Sequence, residues 1–195
     1  MMALLVDQSR RAATEGPALA AVHRKIGTLL AIDVARKLPV ESCEIEHPTG
    51  TTTGVRVVPE RQPVIIALLR AGLFLAEGIW ETLPGSSLLL HGPALHTLAG
   101  AELSGRPTVI ADAVINTGSS MTPVIERVRE LGAEEIMVVA LVAYRPTLER
   151  MALDLPEVCF TVARLSERSY VGRGGTDTGS RLFGTTRWVR QDRKG

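Results

Sequence analysis

Residues 107–121 bring together side chains that could bind a phosphorylated sugar. A short apolar run, predicted to be a strand, leads to an acidic residue at its carboxyl end, Asp112, and a polar turn then opens a helical pattern. The carboxylate could accept hydrogen bonds from vicinal hydroxyls of the sugar. The turn could hold a phosphate, because backbone N–H groups and the helix dipole favour an anion at a helix N-terminus. Its residues are Thr117, Gly118, Ser119 and Ser120.

Residues 170–185 form a second candidate site near the C-terminus. The segment is too rich in glycine for a helix or a strand, so its main-chain groups could pair with the edge of a planar base. Such pairing discriminates between bases, because a mismatch leaves buried polar groups without partners. The two segments together indicate a protein that binds a phosphorylated sugar and a base.

Both segments resemble those of the uracil phosphoribosyltransferases, a branch of the type I phosphoribosyltransferases. In the first, a single acid, Asp112 followed by alanine, is similar to this branch's form of the loop that binds phosphoribosyl pyrophosphate (PRPP). The second is similar to the family pattern Tyr-Ile-x-Pro-Gly-Leu-Gly-Asp-Ala-Gly-Asp-Arg-Leu-Phe-Gly-Thr. Residues 26–41 and 64–73 look like the family's N-terminal helix and its strand ending in Leu-Arg-Ala-Gly. The resemblance covers residues 20–186, with four segments in the family's order.

The resemblance implies a reaction and a set of site residues. PRPP would transfer its phosphoribosyl group to uracil, giving UMP and pyrophosphate, and Mg²⁺ would bind through PRPP, with no separate metal site in the protein. The catalytic residues would be Asp112, which holds the ribose hydroxyls, and Arg70, which contacts the departing pyrophosphate. The PRPP site would comprise Arg70, Asp112, Ala113, Val114, Ile115, Asn116, Thr117, Gly118, Ser119, Ser120 and Asp177. The uracil site would comprise Tyr170, Val171, Thr176, Asp177 and Thr178. The resemblance also implies a homodimer or a higher homo-oligomer.

Hydrophobic periodicity predicts the elements that must position these residues. It predicts helices over 19–37, 71–83 and 122–131, and a hairpin over 43–58. Short apolar runs predict strands over 64–68, 87–91, 108–111, 136–142 and 159–163. This alternation indicates an α/β fold, a type I phosphoribosyltransferase-like parallel sheet flanked by helices, in which Arg70 and Asp112 follow strands and face one cleft. The glycine-rich segment would cover that cleft as a hood.

Composition limits the class of protein. The 195 residues, 45% of them hydrophobic, suit a single domain over 1–195, with the hood at about 164–186 and a basic tail at 187–195. The net charge of +1 argues against a nucleic-acid-binding surface. Cys43 and Cys159 lack the spacing of metal ligands, and no run resembles a signal peptide or a membrane span. We expect a cytoplasmic protein without membrane or nucleic-acid partners.

Departures from the family pattern leave the function open. The segment that corresponds to a PRPP-binding arm is shorter here, and the arm's arginine aligns with Leu95. One interpretation is a working transferase with an abbreviated arm. Another is a homologue that binds PRPP or a nucleotide without turnover and acts as a sensor or regulatory partner. In the hood, Thr176 replaces a glycine, and its β-carbon is expected to narrow the base pocket, so a transferase for another base is a third interpretation.

Overall fold

The structure is a computed structural model that describes residues 1–92, 97–170 and 172–188. The chain begins with helices α1 (Met2–Arg10) and α2 (Gly16–Ala35) and an antiparallel hairpin of strands β1 (Val40–His47) and β2 (Gly50–Val57). There follow β3 (Val64–Leu68), α3 (Leu73–Thr82), β4 (Ser87–His91), β5 (Thr108–Ile115), α4 (Met121–Glu130), β6 (Ile136–Tyr144), α5 (Arg145–Asp154), β7 (Val158–Ser166) and α6 (Thr178–Leu182). Short 3-10 turns occupy Pro59–Arg61, Thr97–Gly100 and Gly174–Thr176. None of the helices within the described ranges is long and apolar enough to cross a bilayer.

Strands β3 to β7 form one parallel sheet in the order β4-β3-β5-β6-β7. Every residue of β3 is buried, because helices cover both faces of the sheet at this point. One core lies under α1, α2 and α3 and includes Ile26 and Val109. The other lies under α4 and α5 and includes Ile110 and Ile125. The predicted α/β fold with a parallel sheet flanked by helices is confirmed.

Three strands continue beyond their predicted ends. Strands β3 and β4 have the predicted bounds, but β5, β6 and β7 continue through residues that the patterns placed after a strand. Asp112 pairs with Ala140 in the ladder, and Val142 pairs with Arg164, because main-chain pairing does not depend on side-chain polarity. Asp112 therefore lies inside β5 and not after it. Since β7 continues to Ser166, the hood itself comprises residues 167–186.

Helices α2 and α3 meet at two glycines. A β-carbon built at Gly27 would lie 2.2 Å from the carbonyl oxygen of Leu75, and one built at Gly78 would lie 2.0 Å from the carbonyl oxygen of Arg24. Beside this contact, Nε of Arg24 donates a hydrogen bond to Oε2 of Glu77 over 2.6 Å. The two backbones are therefore in direct contact, and no larger residue fits at either glycine without moving a helix.

Candidate active site

Asp112 lies three residues before the end of β5. Strand β3 accompanies β5 only as far as Ala111, which pairs with Ala67, whereas β6 continues beside it. The turn after β3 packs tightly over this point, because a β-carbon at Gly72 would lie 2.2 Å from the carbonyl oxygen of Ala111. On its β3 side, Asp112 is therefore at the carboxyl end of the sheet, next to the turn that carries Arg70.

The Asp112 carboxyl group is half-buried and held by the backbone. The N–H of Ala113 donates a hydrogen bond to its Oδ1 over 2.7 Å. Burial raises the pKa of Asp112 to about 7, because desolvation of the carboxylate outweighs the backbone hydrogen bonds from Ala113 and Val114, which lower it. A ligand that donates hydroxyl groups to this carboxyl favours its ionised form.

The turn after β5 forms a cradle that leads into α4. Gly118 has a φ of +82°, a conformation that favours glycine, and its carbonyl accepts hydrogen bonds from the first two N–H groups of α4 at 3.0 and 2.9 Å. The hydroxyls of Thr117 and Ser119 are hydrogen-bonded to each other over 2.9 Å. A cavity of about 90 Å³ is lined by Asp112 and residues 114–121. These hydroxyls and the N-terminus of α4 make the cradle suitable for a phosphate.

A cation from α5 adjoins the cradle. Nη2 of Arg150 donates a hydrogen bond to the carbonyl of Thr117 over 3.0 Å. The sequence patterns above do not predict α5 and therefore miss this charge. The sequence does contain signals for α5, because Pro146 lies in the first turn of the helix and Leu148 and Met151 are spaced for one apolar face.

Arg70 reaches from the turn after β3 to the hood. Its Nη2 donates a hydrogen bond to Oγ of Ser180 over 3.4 Å and lies 3.7 Å from Oδ1 of Asp177. Asp177 in turn caps α6, since its Oδ1 accepts a hydrogen bond from the N–H of Ser180 over 2.7 Å. The Arg70 guanidinium also lies 5.8 Å from the centre of the Phe183 ring. About half of the Arg70 side chain is exposed, so an anion can reach it.

Arg181 anchors the hood to the N-terminal helices. Its Nη2 donates hydrogen bonds to the carbonyls of Ser9, Arg11 and Thr14 at 3.3, 2.8 and 2.8 Å. These carbonyls lie at the end of α1 and in the loop before α2. A further link joins the hood to the cradle, because the N–H of Tyr170 donates to Oδ1 of Asn116 over 3.0 Å.

A second cavity, of about 440 Å³, opens beside the cradle. Its floor is the carboxyl end of β5, β6 and β7, where Val114, Val142 and Arg164 are neighbours in register. Its size is in the usual range for small-molecule sites, which is roughly 300–1,000 Å³. It is the main cavity of the candidate site.

The main cavity joins the cradle at the end of β5. Residues 114–116 line both, Ala113 lines the main cavity, and residues 117–120 line the cradle. Helix α2 forms one wall with Leu19 and His23. The two cavities are therefore adjacent, as the binding of a ligand with a phosphate and a base would require.

The residues predicted to contact the base are separated by the fold. Tyr170 and Thr178 line the main cavity, whereas Thr176 and Asp177 are absent from its described lining, and Val171 lies outside the described residues. Thr176 is exposed, and its hydroxyl donates a hydrogen bond to a carbonyl three residues earlier over 3.0 Å. Its own carbonyl accepts a hydrogen bond from the Tyr170 hydroxyl. Thr176 is thus not among the described residues that line the main cavity, and the expectation that its β-carbon narrows the base pocket stays a prediction.

His23 is a cavity residue that the sequence did not single out. Its ring is 2% exposed, and Nδ1 has no partner among the residues that the structure describes. Burial, with a smaller effect of the nearby Arg181 cation, lowers the pKa of His23 to about 4, so the ring is neutral at pH 7. A lone histidine in an apolar helix gives no local sign of this position.

Comparison with known protein families gives a match over nearly the whole chain. The family model described as uracil phosphoribosyltransferase matches residues 1–185. The chain belongs to the uracil phosphoribosyltransferase family. The match includes β5, the cradle and nearly all of the hood. Leu95, which we expect to correspond to the family's arm arginine, lies outside the described residues.

Individual relatives agree with this family and with the fold. The uracil phosphoribosyltransferase of Streptomyces griseus is 30% identical over 188 residues, which cover 88% of this chain and 89% of that protein. A solved structure of an Aquifex aeolicus protein superposes with a TM-score of 0.80 at 21% identity, covering 93% of both chains. The orotate phosphoribosyltransferase of Mycobacterium tuberculosis has a TM-score of 0.55 at 15% identity, covering 85% of this chain and 88% of that one. The fold is that of the phosphoribosyltransferases, and membership of the uracil phosphoribosyltransferase family makes the protein a pentosyltransferase.

Proposed function

We propose that the protein transfers the phosphoribosyl group of PRPP to a ring nitrogen of uracil, giving UMP and pyrophosphate. The observation that carries this proposal is the junction of the cradle and the main cavity along residues 114–116. A 5′-phosphate in the cradle and a base in the main cavity would lie on either side of this junction. Asp112, in the adjoining part of β5, would hold the ribose between them.

The chain's residues would act by positioning and by charge. As the C1′–O bond breaks, its electron pair leaves with pyrophosphate, a ring nitrogen forms the new C1′–N bond, and the nitrogen's proton passes to solvent or to pyrophosphate. Asp112 would hold the ribose hydroxyls and stabilise positive charge that develops on the sugar. The cradle would fix the 5′-phosphate, and the hood would fix the base, so that the reacting atoms stay in line.

Arg70 would neutralise the departing pyrophosphate, with Asp177 beside it. Among the residues that the structure describes, no three Asp, Glu, His or Cys side chains converge on a metal site. A Mg²⁺ ion would take its ligands from PRPP and water, as this ion commonly does. When bound, it would supply further neutralisation of the pyrophosphate.

The direct test is an assay of the purified protein with PRPP, Mg²⁺ and uracil, followed by chromatography of the products. UMP formation is the expected result, and it should be strongly reduced in Asp112→Asn. The matched control is Asp33→Asn, which makes the same change at a half-exposed position near the end of α2, away from the candidate site. Absence of UMP under conditions where PRPP binds would contradict the proposal.

A protein that binds PRPP or a nucleotide without turnover is the second candidate. The shortened segment around Leu95 favours it, since a lid that excludes water and clamps pyrophosphate contributes to turnover. A single-turnover experiment with protein in excess over labelled PRPP distinguishes the two. Bound but unconsumed PRPP in the presence of every base would support the second candidate.

We also propose that the protein is a homodimer or a higher homo-oligomer. Support comes from the β1–β2 hairpin, which exposes three apolar side chains, those of Val40, Ile45 and Val55. Light scattering at micromolar concentration tests this directly, and a monomer mass would contradict it.

A further inference from the structure

The described side chains that line the main cavity include several arginines but no carboxylates. Its described lining contains Arg10, Arg164, Arg168 and Arg181 but no aspartate or glutamate. Arg10 is paired with Asp7 over 3.2 Å, and Arg181 is hydrogen-bonded to three carbonyls. Within residues 1–92, 97–170 and 172–188, neither Arg164 nor Arg168 has an ion-pair partner. Three positive charges at this cavity, those of Arg164, Arg168 and Arg181, are therefore not neutralised by a carboxylate of the described chain, and Arg181 alone of these is held by carbonyl groups.

Arg164 has a defined place on the cavity floor. It belongs to β7, the edge strand, and it lies in register with Val142, which lies in register with Val114. Neighbouring strands are about 4.8 Å apart, so the Cα atom of Arg164 is roughly 10 Å from that of Val114. The Arg164 side chain is half-buried and lines the cavity. A base that extends from the junction with the cradle across the floor would approach its guanidinium.

A second observation indicates that the main cavity receives a polar ligand. Buried polar atoms in proteins almost always have a hydrogen-bond partner, yet Nδ1 of His23 has none in the described structure. His23 lines the same cavity as Arg164. A neutral imidazole can donate to or accept from a ligand, and a planar ring with N–H and carbonyl groups offers both.

We propose that the main cavity takes a pyrimidine that carries a carboxylate, and that Arg164 is the residue that binds this carboxylate. The inference rests on the proposed function, because it assigns the substrate class of the same base site. A guanidinium binds a carboxylate through two parallel hydrogen bonds, a strong and geometrically selective contact. Arg168, at the exposed rim, contributes further positive charge. Uracil would leave the half-buried Arg164 without an anion, so a carboxylated pyrimidine is the better ligand.

The test compares uracil, uracil-5-carboxylate and uracil-6-carboxylate as ligands and as acceptors. Calorimetry gives their affinities, and kcat/KM with PRPP and Mg²⁺ gives their use. We expect one of the two carboxylates to bind about tenfold or more tightly than uracil, the ratio typical of one charge-assisted contact. Arg164→Met keeps the apolar stem of the side chain and should bring that ratio close to one. Arg164→Lys should restore part of it, because it keeps the charge and loses the paired geometry.

The control is Arg36→Met, which removes the same charge from an exposed site at the end of α2 and should leave the ratio unchanged. A circular dichroism spectrum verifies that each variant is folded, and the ratio in the parent protein tests the ligand class without any variant. A ratio near one in the parent, or a ratio that survives in folded Arg164→Met, overturns the inference.

The outcomes for the inference and for the proposed function can be separated. If uracil is converted to UMP and neither carboxylate binds more tightly or reacts faster, the inference fails and the proposed function stands. If a carboxylated pyrimidine binds through Arg164 and uracil is not converted, the inference stands and uracil transfer fails. If none of the three pyrimidines binds, both fail.

Discussion

The cradle and the hood place ligand-binding groups in different ways. The cradle is built mainly from local hydrogen bonds, since Thr117 bonds to Ser119 and Gly118 bonds to the start of α4, and a bond from Arg150 to Thr117 spans 33 positions. The hood is held by residues that are distant in sequence. The bonds from Arg70 to Ser180 and from Arg181 to Ser9 span 110 and 172 positions. The phosphate end of the site therefore depends on elements that are close together in the chain, β5, α4 and α5, whereas the base end requires most of the chain to be assembled.

This difference implies that the two ends can be disturbed separately. A change at a hood anchor should alter base recognition and leave the cradle intact, because none of the cradle's local hydrogen bonds involves an anchor. A change at Asp112 should weaken PRPP binding and leave base recognition intact. The link from Tyr170 to Asn116 is the described hydrogen bond that couples the two regions.

The largest effect is expected from Arg181→Met. The variant removes the guanidinium that bonds the carbonyls of Ser9, Arg11 and Thr14, and hydrogen bonds to charged groups contribute about 1.5–3 kcal/mol each. Phosphoribosyl transfer should fall on the order of a hundredfold or more, while PRPP affinity, measured by calorimetry, changes little. Arg36→Met is the control. An equal loss of PRPP affinity would show that cradle and hood form one cooperative unit.

Asp112→Asn should weaken PRPP binding by about 1.5–3 kcal/mol, because an amide replaces a charge-assisted acceptor for the ribose hydroxyls. Calorimetry at pH 8, where the parent carboxyl is ionised, is the appropriate measurement. Binding of the base in the absence of PRPP should be unchanged. Unchanged PRPP affinity would remove Asp112 from the site.

The pH dependence of stability tests the burial of Asp112 without any ligand. Its folded-state pKa of about 7 lies above the ordinary value of 3.8, so between these pH values the folded protein keeps a proton that the unfolded chain has released. The stability associated with this proton is fully present below the ordinary pKa and is lost as pH rises to about 7 and beyond. The free energy of unfolding of Asp112→Asn, minus that of the parent, should therefore increase on the order of 1–3 kcal/mol as the pH is raised from 4 to 8.

Urea denaturation of the parent and of Asp112→Asn at pH 4.5 and pH 8 provides the comparison. Asp33→Asn, at a half-exposed position, should show little such pH-dependent gain. A constant difference between Asp112→Asn and the parent at both pH values would mean that the carboxyl is not desolvated in the folded protein.

The smallest effect is expected within the hood, from a matched pair of threonines. Thr178→Val removes a hydroxyl from a residue that lines the main cavity and should change the KM for the base, whereas Thr176→Val alters an exposed residue outside that lining. Losing one neutral hydrogen bond corresponds to about 0.5–1.5 kcal/mol, a change of several-fold in KM. A larger change in KM for Thr176→Val than for Thr178→Val would mean that Thr176, and not Thr178, contacts the base.

The sequence predicts the local parts of this site well. The apolar run Val64–Leu68 is a strand with the predicted bounds, and Gly118 is the glycine of a turn before a helix, because both depend on neighbours in the chain. The end of β5 could not be predicted from polarity, since Asp112 interrupts an apolar run without interrupting the main-chain ladder. The polarity of a side chain indicates whether it prefers solvent or the core, whereas main-chain hydrogen bonding determines where a strand ends.

The contacts that build the main cavity are not readable from local patterns. Arg164 has the type and spacing of a surface residue on an edge strand, and His23 has those of a core residue on an amphipathic helix. Their meeting depends on how β7 and α2 pack around the sheet. The family resemblance identified the hood but not its anchor on α1, because the Arg181 bonds are a property of the assembled chain.

The glycine contact between α2 and α3 has a consequence for ligand design. With backbone against backbone at Gly27 and Gly78, α2 cannot recede toward α3 to admit a larger compound, so the wall that carries Leu19 and His23 acts as a fixed template. The hood wall is held by side-chain bonds and by a small apolar cluster in which Leu182 packs with Leu19 and Ala20, so it has the greater freedom to adjust. Computational docking against this protein should therefore keep α2 rigid and sample conformations of the hood. Inhibitors should gain selectivity by matching the shape of the α2 wall, and bulky substituents should be placed on the side that faces the hood.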